Sequence, residues 1–193
     1  MNQSLVNCII TDILETFSYL WKAFFVGVGY MLFYQIIFLC IHRVRRRNSG
    51  QLYGRELRMN RKYFLGSTLF VIYFVVLLYT VFFSREAGSR VGTNMSLFAT
   101  WGVTMQEHAW VIENVLLFIP FGFLCSLCLP KRWRWVSLPV GCICSIAIEY
   151  IQFCSGCGYC QLDDIVMNTL GTVIGYLLYC VVRRPSQMYY CVL

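Results

Sequence analysis

The chain has 193 residues, of which 59% are apolar and only 13% charged. Soluble domains run at roughly 45–50% apolar and ~25% charged, so the surplus exceeds what a soluble core of this length buries, and intrinsic disorder is excluded for the same reason. The net charge of +7 raises nucleic acid as a partner, and the placement of the positive residues decides that question.

In chain order, residues 1–16 lack the basic start of a cleaved signal and carry Asp12 and Glu15. They are expected to form a short interfacial helix. Five apolar stretches follow, each close to the ~20 residues that a helix needs to cross a bilayer. They cover about residues 19–41, 63–83, 111–129, 135–153 and 165–182. The predicted fold is therefore an all-α, polytopic transmembrane helical bundle of five spans. Its expected segments are an extracellular or interfacial 1–18, a first span with a basic cytoplasmic loop at 19–62, a four-span domain at 63–182 and a cytoplasmic tail at 183–193.

All but three of the 16 basic residues (Lys22, Arg85 and Arg90) fall in the segment after the first span, between the third and fourth spans, or after the fifth. Cytoplasmic loops retain Lys and Arg, so the N-terminus is predicted outside and the C-terminus inside. That separation removes nucleic acid as a partner and leaves the lipid bilayer of the cell membrane, crossed several times. The basic loop of residues 42–62 is a topology determinant and a candidate contact for anionic headgroups. Of the nine acidic residues, only Glu56 lies in a predicted cytoplasmic loop. The positive-inside rule does not demand this, so some of the acids need another explanation.

Glu149 lies inside the fourth span, where a charge must face protein or a water-filled cleft. Gly141, Ser145, Glu149 and Gln152 recur at helical spacing and share one face. Asp164, Asn168, Gly171 and Gly175 do the same on the fifth span. Gly141, Ser145, Gly171 and Gly175 are small enough for close helix packing. Asp163 and Asp164 also suit the positive end of a helix dipole. Glu113 and Asn114 open the third span, with Pro120 further in, and Arg85 ends the second. The candidate ligand-binding residues are thus Arg85, Asn114, Glu149, Gln152, Asp163, Asp164 and Asn168. From the residues alone, such a cluster suits a polar headgroup, a sugar, a peptide or a cation, or a structural network that locks the bundle.

These residues also carry a resemblance. Asn114-Val-Leu-Leu-Phe-Ile-Pro-Phe-Gly-Phe123, Ser145-Ile-Ala-Ile-Glu-Tyr-Ile-Gln152 and Asp163-Asp164-Ile-Val-Met-Asn168-Thr-Leu-Gly171 with Gly175 resemble, in order, three blocks of the VanZ-like membrane proteins. Arg85 sits where that family often places an Arg. The family commonly has a further Arg and Asp before the Asp pair, where this chain reads Gly156-Cys-Gly-Tyr-Cys-Gln161. The resemblance implies a cell-envelope role linked to teicoplanin-type glycopeptide resistance, with a lipid-linked cell-wall precursor or a glycopeptide antibiotic as the partner.

Cys154, Cys157 and Cys160 have C-x2-C-x2-C spacing, which allows a metal site or a loop disulfide. The expectation is free thiols and neither metal nor other cofactor, because the odd total of 11 cysteines leaves one unpaired within the chain. No metalloprotease, phosphate-loop or nucleophile-elbow motif is present, and no catalytic residue is assigned. The alternatives are a carboxylate hydrolase or transferase acting on a lipid-linked substrate and a proton- or ion-coupled transporter.

Overall fold

The structure is a computed structural model that describes residues 4–48, 61–83, 92–97, 104–156 and 158–183. Ser4 caps helix α1 (Leu5–Ser18), its hydroxyl accepting from Asn7 N at 3.4 Å. The helix is interrupted at Tyr19, whose N–H bonds back to Thr16 O instead of one residue earlier. Helix α2 (Leu20–Asn48) follows, then α3 (Arg61–Leu78), which widens into a π-turn at Tyr79–Phe83. Helix α4 covers Met105–Cys128, and a 3-10 turn at Lys131–Val136 leads into α5 (Ser137–Ser155). Helix α6 covers Leu162–Arg183.

Helix α4 begins about two turns before the apolar stretch that announced it. Thr104 and Glu107 form a reciprocal capping box: Glu107 N donates to Thr104 Oγ1, and Thr104 N to Glu107 Oε2 at 3.0 Å. This satisfies orphan N–H groups at the helix start and allows a polar first turn.

Among the described residues, five helical segments are long and apolar enough to cross a membrane: Leu5–Ile41, Tyr63–Phe82, Met105–Cys128, Lys131–Ser155 and Leu162–Arg183. Their outward faces carry exposed apolar side chains, including Phe25, Phe33, Ile143 and Val182. So much exposed apolar surface is untenable in water and ordinary against lipid. The chain is an all-helical membrane-spanning protein.

Helices α4 and α6 form the tightest seam. A Cβ on Gly171 would collide with Val115 O, one on Gly175 with Ile119 O, and one on Gly122 with Thr172 O. Both helices thus present glycine to the other's backbone, the close approach that small-xxx-small spacing permits. Helix α5 joins through Gly141, whose Cβ would meet the Thr172 side chain. A cluster of Leu77, Val81, Phe118, Phe121, Cys125 and Ile148 fills the space between α3, α4 and α5.

Two short strands, β1 (Thr93–Asn94) and β2 (Cys160–Gln161), pair in parallel with Thr93 opposite Cys160. They tie the α3–α4 connection to the α5–α6 connection at the end of the bundle that carries α1. The turn before β2 begins at Gly156, whose φ of 65° caps α5 in the left-handed region, where glycine carries no Cβ penalty.

Candidate functional site

Toward the α1 end, the α4–α6–α5 packing opens. Along α6 the residues facing α4 and α5 change from Gly175 and Gly171 to Asn168 and Asp164, one turn at a time. Longer polar side chains replace hydrogen atoms, and the helices are held apart. The result is a cavity of about 720 Å³, lined from α1, α3, α4, α5, β2 and α6.

Its polar wall is built on fixed hydrogen bonds. Asn114 Nδ2 donates to Asp164 Oδ1 at 2.7 Å, joining α4 to α6. Asn168 Nδ2 donates to Ser145 Oγ at 2.9 Å, joining α6 to α5. Glu149, 2% exposed, accepts at Oε2 from Gln161 N at 3.1 Å, which anchors β2 over the cavity. Gln152 Nε2 donates to Val81 O at 3.1 Å. Val81 lies within the π-turn, whose wider winding turns carbonyls out of the helical ladder and toward such partners. Tyr73 OH donates to Leu117 O at 2.6 Å. Leu117 adjoins Leu116, the carbonyl that loses its helical donor because Pro120 has no N–H.

Asn114, Glu149, Gln152, Asp164 and Asn168 therefore all line one cavity, and Glu113 joins them. Asp163 is buried, at 3% exposed, but does not belong to the cavity wall, because adjacent helical residues point about 100° apart. Arg85 lies outside the described residues. Cys154 and Cys160 carry free thiols, and Cys157 lies outside the described residues. Burial, and then the nearby Glu149 and Asp164 carboxylates, push the Cys160 thiol above its ordinary range.

Sequence reasoning missed the contribution of α1. Asp12, Glu15, Thr16 and Tyr19 line the cavity, and Asp12 Oδ2 accepts from Gln106 Nε2 of α4 at 3.1 Å. The signal for this was the pair of acids on an otherwise apolar segment. At the α1–α2 break, Tyr19 stacks on Tyr79 at 5.5 Å between ring centroids, and Lys22 Nζ lies 4.8 Å from the Tyr79 centroid. These contacts hold the break against the π-turn. The walls also carry Tyr73, Trp110 and Tyr159, and Gln106 and Gln161 add to the polar surface.

Five spans enclosing a polar cavity between their helices define an integral membrane protein. No solved structure matches the chain. The chain belongs to the VanZ/LLP1 family, whose model matches residues 70–183. It is also similar to Protein VanZ of Enterococcus faecium, 26% identical over 122 residues that cover 60% of this chain and 73% of that protein.

Proposed function

We propose that this protein binds a cell-envelope ligand, either a lipid-linked wall precursor or a glycopeptide antibiotic, and contributes to teicoplanin-type resistance. The binding site is the cavity at the α1 end, facing outward from the cell membrane. The observation that carries the reading is the convergence of Asn114, Glu149, Gln152, Asp164 and Asn168 on one cavity, at the end away from the Lys131–Arg134 segment and Arg183. Buried polar groups in a membrane bundle are costly and mark functional pathways or sites. The positive-inside rule supports the outward orientation. Arg85 acts in this reading as a counter-charge or a headgroup contact, and Asp163 supports the start of α6.

The binding function needs no bond-making chemistry. Glu149 and Asp164 are each held by a hydrogen bond from a neighbouring element, which orients them as fixed acceptors. A cavity of this volume lies within the ~300–1,000 Å³ of small-ligand sites. It therefore takes one head group or side arm of a large envelope molecule.

Teicoplanin susceptibility of a sensitive host tests the reading. Expression of the wild-type chain raises the inhibitory concentration, and Glu149→Gln and Asp164→Asn, at equal membrane levels, return it toward the empty-vector value. No shift in any strain removes the resistance role. Reporter fusions in the 84–108 connection and after residue 193 are expected to report outside and inside respectively, and the reverse result overturns the orientation.

A further inference from the structure

Asn168 is 4% exposed and lines the cavity. Its Nδ2 is committed to Ser145. Its Oδ1 is buried and has no hydrogen-bond partner among the described residues. A buried acceptor without a donor is costly, and native proteins satisfy nearly all such atoms. An O–H or N–H donor from a ligand in the cavity that Asn168 lines would satisfy this atom.

We propose that the cavity is a saccharide site, in which Asn168 Oδ1 accepts a hydrogen bond from a hydroxyl group of the sugar. The proposal rests on the reading of the cavity as an envelope-ligand site and names the part of the ligand that enters. Three features select a sugar. The described wall carries five carboxamides and five carboxylates. Carboxamides both donate and accept, and a hydroxyl does both in return, whereas an ammonium group only donates. A phosphate, which at neutral pH is chiefly an acceptor, meets carboxylates of its own sign. Between the polar groups stand the flat rings of Tyr73, Trp110 and Tyr159. A sugar ring has a hydroxyl edge for the first kind of surface and a C–H face for the second.

The test uses the purified full chain in a polyoxyethylene detergent, which carries no sugar. Methyl N-acetyl-β-glucosaminide and ethylammonium are titrated separately, with saturation-transfer NMR and calorimetry as readouts. Saturable binding of the glucosaminide is expected, weakened roughly tenfold by Asn168→Leu, which removes the acceptor. Because Asn168→Leu also loses the Ser145 bond, Tyr159→Leu serves as a second variant. Tyr159 is 44% exposed on a connecting segment, so this change spares the bundle, and a comparable weakening is expected. Binding of ethylammonium alone, or of neither probe to the folded wild-type chain, overturns the saccharide assignment. Teicoplanin or lipid-linked precursor that binds while the glucosaminide does not also overturns it, and leaves the envelope reading standing. Sugar binding without either envelope ligand supports the assignment and counts against that reading.

Discussion

The α4–α6 seam and the α1-end cavity are built on the same faces of the same helices, yet one is dry and closed and the other polar and open. Asp164, Asn168, Gly171 and Gly175 form one stripe along α6. Its glycine half meets Val115 O and Ile119 O, whereas its polar half meets Asn114 and Ser145 through hydrogen bonds. The difference is side-chain size. Where the residues are glycines the backbones touch, and where they are Asn and Asp the helices stand off. The closed half fixes the geometry of the open half, since two helices locked at one end can diverge only by a set amount at the other. Preorganised polar groups on rigid elements bind better than groups that must first be ordered.

The sharpest way to break this arrangement is to give the seam a side chain. Gly175→Val forces a branched group into Ile119 O and Phe123 N and is expected to cost roughly 3 kcal/mol, at the upper end of overpacking. Thermal unfolding in detergent measures it. Gly29→Val is the matched control, because a Cβ there meets nothing within 4 Å among the described residues, and it should leave the midpoint nearly unchanged. If both variants behave alike, the seam is not what locks the bundle.

Tyr73→Phe probes the boundary between the two regions. It removes a second donor to Leu117 O, which keeps its helical bond from Phe121 N, and is expected to cost about 0.5–1.5 kcal/mol, the range for one hydrogen bond lost. Asn114→Ala and Asp164→Ala each remove one partner of the 2.7 Å bond across the cavity. A double-mutant cycle should give a coupling of about 0.6–1.7 kcal/mol, as found for hydrogen bonds within membrane bundles. Zero coupling would place the two residues in separate regions. Asp12→Ala, which loses the Gln106 contact, should barely move the unfolding midpoint. It should nonetheless raise amide exchange in α1 selectively.

Cys160 reports on the cavity by its chemistry. Its thiol is held above the ordinary range first by burial and then by Glu149 and Asp164. Alkylation proceeds through the thiolate, so at neutral pH Cys160 should react more slowly than a free cysteine, and its rate should level off at a higher pH. Glu149→Gln or Asp164→Asn removes a raising charge, lowers the thiol's pKa and should speed alkylation a few-fold at fixed pH. An unchanged pH profile in both variants would separate Cys160 from the cavity carboxylates.

Much of this was legible in the residues, and the limits have physical causes. The five spans follow from unbroken apolar runs, because lipid tolerates little else. The Asn114, Glu149, Asp164 and Asn168 grouping follows from helical spacing, which places residues on faces without knowledge of their neighbours. The start of α4 was obscured by its polar first turn, although Thr104 and Glu107 carried the capping signal. The docking of α1 was not legible, since Asp12 and Gln106 are 94 positions apart and nothing local links them. The anchoring of Gln161 N by Glu149 was hidden for a related reason: a backbone donor in a connecting segment leaves no trace in side-chain patterns.

Thr172 is fully buried and stands where three helices meet: its carbonyl is what a Cβ at Gly122 would strike, and its side chain is what a Cβ at Gly141 would strike. Gly141 and the Thr172 side chain therefore share a single volume, while Gly122 faces the Thr172 backbone. Substitutions at 141 and 172 will be epistatic, because each changes the space open to the other. A smaller residue at 172 makes room for alanine at 141, while the backbone carbonyl still forbids any side chain at 122. Drift through this junction is consequently ordered: position 172 must shrink before 141 can grow, and 122 stays fixed throughout.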